Sequence, residues 1–179
     1  MFIRHGEKPG DDGPPHGINH KGENDPHSLS VRGWTRAGAL AALFAHAPYP
    51  THPNVVMPAR IVATKSTDGY KSKREVDTAT PLAHRLALPV DQSFDHEHGA
   101  ELAASILSDP RDTLVCWHHG SMTDVIAKLP VSNRAEIPSH WPEDRFDLIW
   151  VLSKAPGDSD YHFDVVAQNL LDGDLTTTS

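Results

Sequence analysis

The chain has 179 residues, 38% of them apolar and 22% charged, with a formal net charge of −8. These values fit one soluble globular domain that buries about 70% of its unfolded surface, and the acidic balance argues against a nucleic-acid binder, which needs a net basic face. No run approaches the roughly 18 apolar residues of a membrane span, and the start lacks the charged and apolar regions of a secretory signal.

Met1-Phe2-Ile3 reads as a short strand that runs into Arg4-His5-Gly6-Glu7. Residues 7–28, rich in Gly, Pro, Asp, Asn and His, have no hydrophobic period; a loop this long in a compact domain is functional or disordered. Ser30 can cap a first helix on which Trp34, Ala37, Ala41 and Phe44 recur at helical spacing. Residues 46–58 hold Pro48, Pro50, Pro53 and Pro58 and read as irregular. Arg60–Thr64 suits a buried parallel strand. After the polar stretch 65–71, Ser72 can cap a second helix carrying Val76, Ala79, Ala83 and Leu86, with a kink or break expected at Pro81. Leu88-Pro89-Val90 suits a short edge strand, and a third helix is expected from His98 to Leu107.

Thr113–Trp117 is the most apolar strand, followed by a turn at Gly120 and a helix with Val125, Ile126 and Leu129. Residues 130–146 read as irregular. Strands at 148–152 and 162–167 follow, and then a disordered polar tail over 172–179. Strands alternating with helices imply an α/β sandwich of three layers around a mostly parallel sheet.

The single cysteine, Cys116, lies inside the apolar run and cannot form an internal disulfide, which fits a reducing cytoplasm. Trp34, Trp117 and Trp150 are expected in the core. Thirteen histidines invite a metal reading. Yet His16, His20, His27, His46 and His52 lack the short paired spacings of a zinc site.

In an open parallel sheet, ligands bind beyond the carboxyl ends of the strands. Connections of this length bring three strand ends to one edge: the first carries Arg4 and His5, the second leads to Arg74, and the third carries His118, His119 and Gly120. Backbone N–H groups at the helix starts near Ser72 and Ser121 would add to anion binding. Histidine is nucleophilic near neutral pH and arginine grips phosphate oxygens in a fork. Gly6 is expected to open the backbone to a ligand. Glu7 and Lys8 lie beside this site by sequence, or point to water.

Four ordered pieces resemble the histidine phosphatase, or phosphoglycerate-mutase-like, superfamily. They are Arg4-His5-Gly6-Glu7, the segment Leu29-Ser30-Val31-Arg32-Gly33, the block Ser72-Lys73-Arg74-Glu75-Val76-Asp77-Thr78-Ala79, and His118-His119-Gly120. The resemblance covers residues 1 to about 130. It implies that His5 attacks phosphorus, that His119 binds the phosphoryl group beside it, and that Arg4 and Arg74 neutralise its equatorial oxygens. Positive neighbours would help to keep His5 unprotonated. His119 is chosen over His118 because it directly precedes Gly120; His118 is expected to point away.

The resemblance implies a phosphatase acting on a phosphorylated small molecule or phosphoprotein; the pocket's two guanidiniums and two imidazoles point to one independent of metal and cofactor, and the composition and lone cysteine point to a cytoplasmic chain with neither nucleic acid nor membrane as partner. A phosphoglycerate-type mutase or a catalytically idle phosphate-binding domain are the alternatives. The mutase branch carries its leaving-group acid 20–30 residues after the second arginine, in a Glu-Arg-x-Tyr context that is missing here. The window offers Glu97 as first choice, Asp95 next, and Glu101 on a helix. A good leaving group, or His96 or His98, could make a dedicated carboxylate unnecessary.

Overall fold

A computed structural model describes residues 1–11, 13–48 and 53–178. The expectations at Asp12, at residues 49–52 (including His52) and at Ser179 lie outside these described residues. Six strands form one sheet: β1 (Phe2–Ile3), β2 (Arg60–Ala63), β3 (Val90–Asp91), β4 (Thr113–Cys116), β5 (Leu148–Ser153) and β6 (His162–Ala167), in the order β3-β2-β4-β1-β5-β6. β3, β2, β4 and β1 run parallel, whereas β5 is antiparallel to both β1 and β6. The fold is therefore α/β with a mixed, mostly parallel sheet.

Alternation along the strands sends side chains to two cores. Leu114 and Cys116 join Ile3, Ile61 and Ala63 beneath α1 (Val31–Ala45) and α2 (Arg74–Leu86). Val115 and Trp117 join Phe2 and Val62 beneath α3 (Gly99–Ser108) and α4 (Met122–Ile126). Helices thus cover both faces, and each buried Leu, Ile, Val or Phe contributes roughly 1.5–3 kcal/mol. Cys116 is fully buried, and burial pushes its thiol pKa up. No helix of the described residues is long and apolar enough to cross a membrane.

Ser30 caps α1 as expected, its hydroxyl accepting from the Gly33 N–H at 3.1 Å. Ser72 does not cap α2. Its hydroxyl turns to Glu75 at 2.8 Å, and Lys73 stands at the helix start without a side-chain cap. Nor does Pro81 break α2, which is continuous from Arg74 to Leu86. Thr78, Ala79, Leu82 and Ala83 are buried on this helix, and their burial offsets an interior proline penalty of about 3 kcal/mol.

Trp34 is only half-buried and pins the 7–28 loop, donating from Nε1 to the Ile18 carbonyl at 2.6 Å. The described part of that loop from 17 to 28 is braced rather than disordered: Ile18 N–H donates to Leu29, Asp25 N–H to Gly17, and Lys73 N–H to His27. The expected disordered tail is also corrected. Asp174 is buried against Arg36, and the Leu175 N–H donates to Asp147 at 2.8 Å. Sequence polarity hid this because the charge that balances Asp174 is an arginine more than a hundred residues away, which joins the local N–H groups of Leu170 and Leu171.

Candidate active site

Ile3, Cys116 and Ala63 share one row of the sheet, with Ile3 and Ala63 each paired to Cys116. The residues after them, Arg4-His5 and His118-His119 among them, leave from the same edge. The His5 and His119 rings meet edge to face, with centroids 6.4 Å apart at 84°, a separation within ring-contact range.

His5 is buried, and its Nδ1 lies 2.6 Å from the Gly6 carbonyl oxygen. A carbonyl only accepts, so Nδ1 carries the proton and Nε2 keeps its lone pair. Burial lowers the His5 pKa to about 4, with Arg4 and Arg74 adding smaller downward effects against the upward pull of Glu75. Burial thus outranks the positive neighbours as the reason His5 is neutral. His119 is also lowered to about 4, by burial and then by Arg4, His118 and His5, and its Nδ1 is buried without a partner among the described residues.

Gly6 serves packing rather than ligand approach. A Cβ on Gly6 would meet the Gly33 carbonyl at 2.7 Å, and one on Gly33 would meet the Glu7 carbonyl at 2.5 Å. The Arg-His-Gly segment and the start of α1 therefore lie backbone to backbone. The Gly6 N–H donates to Thr78 Oγ1 at 2.8 Å, and Thr78 donates in turn to the Arg74 carbonyl at 2.7 Å. This relay ties the strand end that carries His5 to the turn of α2 that carries Arg74.

Arg4 is buried with its guanidinium 4.0 Å over the Phe146 ring, and it donates to the backbone carbonyls of Glu143 and, at 3.3 Å, Arg145. Burial lowers its pKa to about 10, still far above neutrality. The Arg74 guanidinium makes only long contacts among the described residues, 3.4 Å to Ser72 Oγ and 3.3 Å to the Pro26 carbonyl. The Nε atoms of Arg4 and Arg74 are buried without a partner among the described residues. Buried donors of this kind call for an acceptor, and an anion supplies one.

The other expected residues divide. Glu7 turns from the site to bind Arg36 and Arg32, at 2.7 and 3.0 Å, and Lys8 is exposed beside Asp11. His118 does not point away: its ring lies 5.2 Å from His119 and joins Tyr70 at 5.3 Å and His96 at 5.4 Å. A Cβ at Gly120 would sit 2.8 Å from His118 Cε1, so the glycine leaves room for this ring.

The carboxylates nominated as acids stand outside. Glu97 and Glu101 are exposed. Asp95 takes Nδ1 of His98 at 2.7 Å, and this bond, with smaller help from the Glu97 N–H, holds its carboxyl below the usual range. An acid needs the opposite shift.

Glu75 was not legible as a site residue, because it sits among Lys71, Lys73 and Arg74 like part of a solvated helix face. It is fully buried, accepting from Tyr70 at 2.7 Å and Ser72 at 2.8 Å. Burial, followed by Glu75, pushes the Tyr70 pKa up and keeps the phenol protonated. Phe146 likewise carried no sequence signal. Among the described residues no group of three or more His, Cys, Asp or Glu could hold a metal ion. In comparisons with known proteins, no family model matches the chain and no curated protein matches it significantly.

Proposed function

We propose that the chain is a phosphatase of the histidine phosphatase type, built on a phosphoglycerate-mutase-like sandwich, and that it hydrolyses a phosphomonoester or phosphoprotein through a phosphohistidine on His5. The observation that carries this reading is the state of His5: a buried neutral imidazole whose Nδ1–H is engaged by Gly6, leaving Nε2 as the nucleophile. Nε2 forms a bond to phosphorus as the bond to the leaving oxygen breaks. Arg4, Arg74 and His119 meet the charge on the equatorial oxygens. Water then attacks the phosphohistidine, releasing phosphate and restoring His5. Two guanidiniums supply the positive charge that many phosphoryl-transfer sites take from magnesium, so EDTA leaves the proposed turnover unchanged.

The test is rapid quenching with a labelled aryl phosphate. An acid-labile, base-stable phosphoryl group should accumulate on the wild-type protein and map to His5. His5→Ala should show neither the adduct nor phosphate release above background while keeping its melting temperature. Turnover by His5→Ala would sink the covalent route.

A further inference from the structure

The carboxylates nominated from sequence are exposed or, for Asp95, tied to His98, yet an ester of an ordinary alcohol needs a proton on its departing oxygen. We propose that His96 is that proton donor, and that Tyr70 and His118 form with it the wall against which the leaving group rests; this inference rests on the phosphatase reading above.

Three observations carry it. First, the turn that follows β3 sorts its own side chains. Asp95 Oδ1 accepts from the Glu97 N–H at 3.0 Å and from His98 Nδ1 at 2.7 Å, fixing a turn in which Glu97 and His98 face solvent. His96 turns inward, its ring 4.5 Å from Tyr70 and 5.4 Å from His118. The turn is anchored where the Lys65 N–H donates to the Phe94 carbonyl at 2.8 Å.

Second, the rings form a continuous series from nucleophile to wall. His5 meets His119 at 6.4 Å, His119 meets His118 at 5.2 Å, and His118 meets both His96 and Tyr70. The fully buried Glu75 carboxylate holds the Tyr70 hydroxyl at 2.7 Å, so the wall is braced from behind by the residue next to Arg74. Third, Nδ1 of His96 is buried without a hydrogen-bond partner among the described residues. An incoming ester oxygen would supply that partner.

The step balances as follows. While His5 Nε2 bonds to phosphorus and the P–O bond breaks, the imidazolium of His96 gives a ring proton to the departing oxygen, which leaves as the alcohol. Neutral His96 then takes a proton from the water that attacks the phosphohistidine, which regenerates the imidazolium. The titratable groups around His96 are Tyr70 and His118 against its ring, Asp95, Glu97 and His98 on its own turn, and Glu75 behind Tyr70.

The experiment compares an alkyl phosphate, whose alkoxide needs a proton, with an aryl phosphate, whose phenolate does not. His96→Asn and His96→Gln should each lower kcat/KM on the alkyl ester by about 10²–10³ and on the aryl ester by less than about tenfold. Equal losses on both esters in a variant with wild-type melting temperature, or no loss on either, would overturn the assignment. So would a selective alkyl loss in Glu143→Gln or His118→Asn with His96→Asn unaffected. If the wild-type protein hydrolyses neither ester and forms no adduct, the phosphatase reading itself fails, and this proposal with it.

Discussion

Two groups of arginines flank the segment from Arg4 to Glu7, and they are built oppositely. Arg36 is almost fully buried and uses its whole guanidinium. Nε and Nη2 bind Glu7, Nη2 binds Asp174 at 2.7 Å, and Nη1 binds Gln168 at 3.0 Å. Arg4 and Arg74, a few residues away through the same strand end and the facing helix, leave buried Nε atoms unpaired among the described residues. A fork closed on all sides cannot receive a ligand, whereas one held at its tip with a donor to spare can. The first arrangement locks the carboxyl tail against α1, and the second leaves two buried donors that the proposed phosphoryl group would fill. Satisfaction of donors, more than charge, separates a structural arginine from a ligand-binding one.

Mutation can break this contrast directly. Arg74→Ala should cost about 10³ in turnover with little change in melting temperature, since its protein contacts are 3.3 Å or longer. Arg36→Met should do the reverse. It strands Glu7 and Asp174 beside each other, and breaking a buried pair costs about 3–5 kcal/mol. The lower end applies because Arg32 remains within 3.0 Å of Glu7 and 3.7 Å of Asp174. For a chain of this size that is a fall of roughly 10 °C, with turnover retained below the new transition. Similar melting temperatures for the two variants would dissolve the distinction.

The two groups also differ in the pH at which they weaken. His5 and His119 are held near 4 in the folded chain, below their ordinary 6.5, so the unfolded state binds protons first. Their favourable contribution is complete above about pH 6.5 and is lost as pH falls toward 4. Asp174 is held to about 2, chiefly by Arg36 and the N–H groups of Leu171 and Leu170 acting against burial. Its contribution is complete above the ordinary carboxylate range and is lost only as pH falls from about 4 toward 2. Burial likewise lowers the Met1 amine to about 5, so melting curves should show an acid loss that steepens below about pH 6.5, and inorganic phosphate should diminish the histidine part by binding the site. His5→Ala should remove part of that first loss and leave the one below pH 4. A single transition below pH 4 in the wild-type protein would show that the site histidines are not depressed.

The pairing of His5 with His119 was legible because strand ends are local signals. Arg4-His5 and His119 each follow an apolar run, and parallel pairing of those runs brings them together. Thr78 was legible as part of a motif, though not its role as the link from the Gly6 N–H to Arg74. What sequence could not display was satisfaction at a distance. Glu75 reads as solvated until Tyr70 and Ser72 are known to hold it, and Asp174 reads as tail until Arg36 is seen. Pro81 reads as a break because its local cost is visible in the sequence while the burial of its neighbours depends on the sheet beneath. For the proton donor the sequence offered carboxylates first and His96 or His98 as substitutes, and it could not show that the turn made by Asp95 leaves Glu97 and His98 exposed while His96 packs against Tyr70.

Charges that belong to neither group set the floor of the comparison, and Glu97 is the sharpest example. It was the first choice for acid on position alone, 23 residues beyond Arg74 in the sequence. Its side chain is exposed, and only its backbone N–H is engaged, by Asp95 at 3.0 Å. Glu97→Gln keeps that backbone bond and removes one solvated charge. The expected change is therefore within about 0.5 kcal/mol in stability and less than about threefold in kcat/KM, equally for alkyl and aryl esters. Asp95→Asn should do more than Glu97→Gln despite being the less obvious acid, because it weakens the bond to His98 that shapes the turn and so loosens His96. A selective collapse of alkyl ester hydrolysis in Glu97→Gln would return the proton to the carboxylate. It would also mean that the turn after β3 reverses when substrate binds, exchanging the inward imidazole for the outward acid.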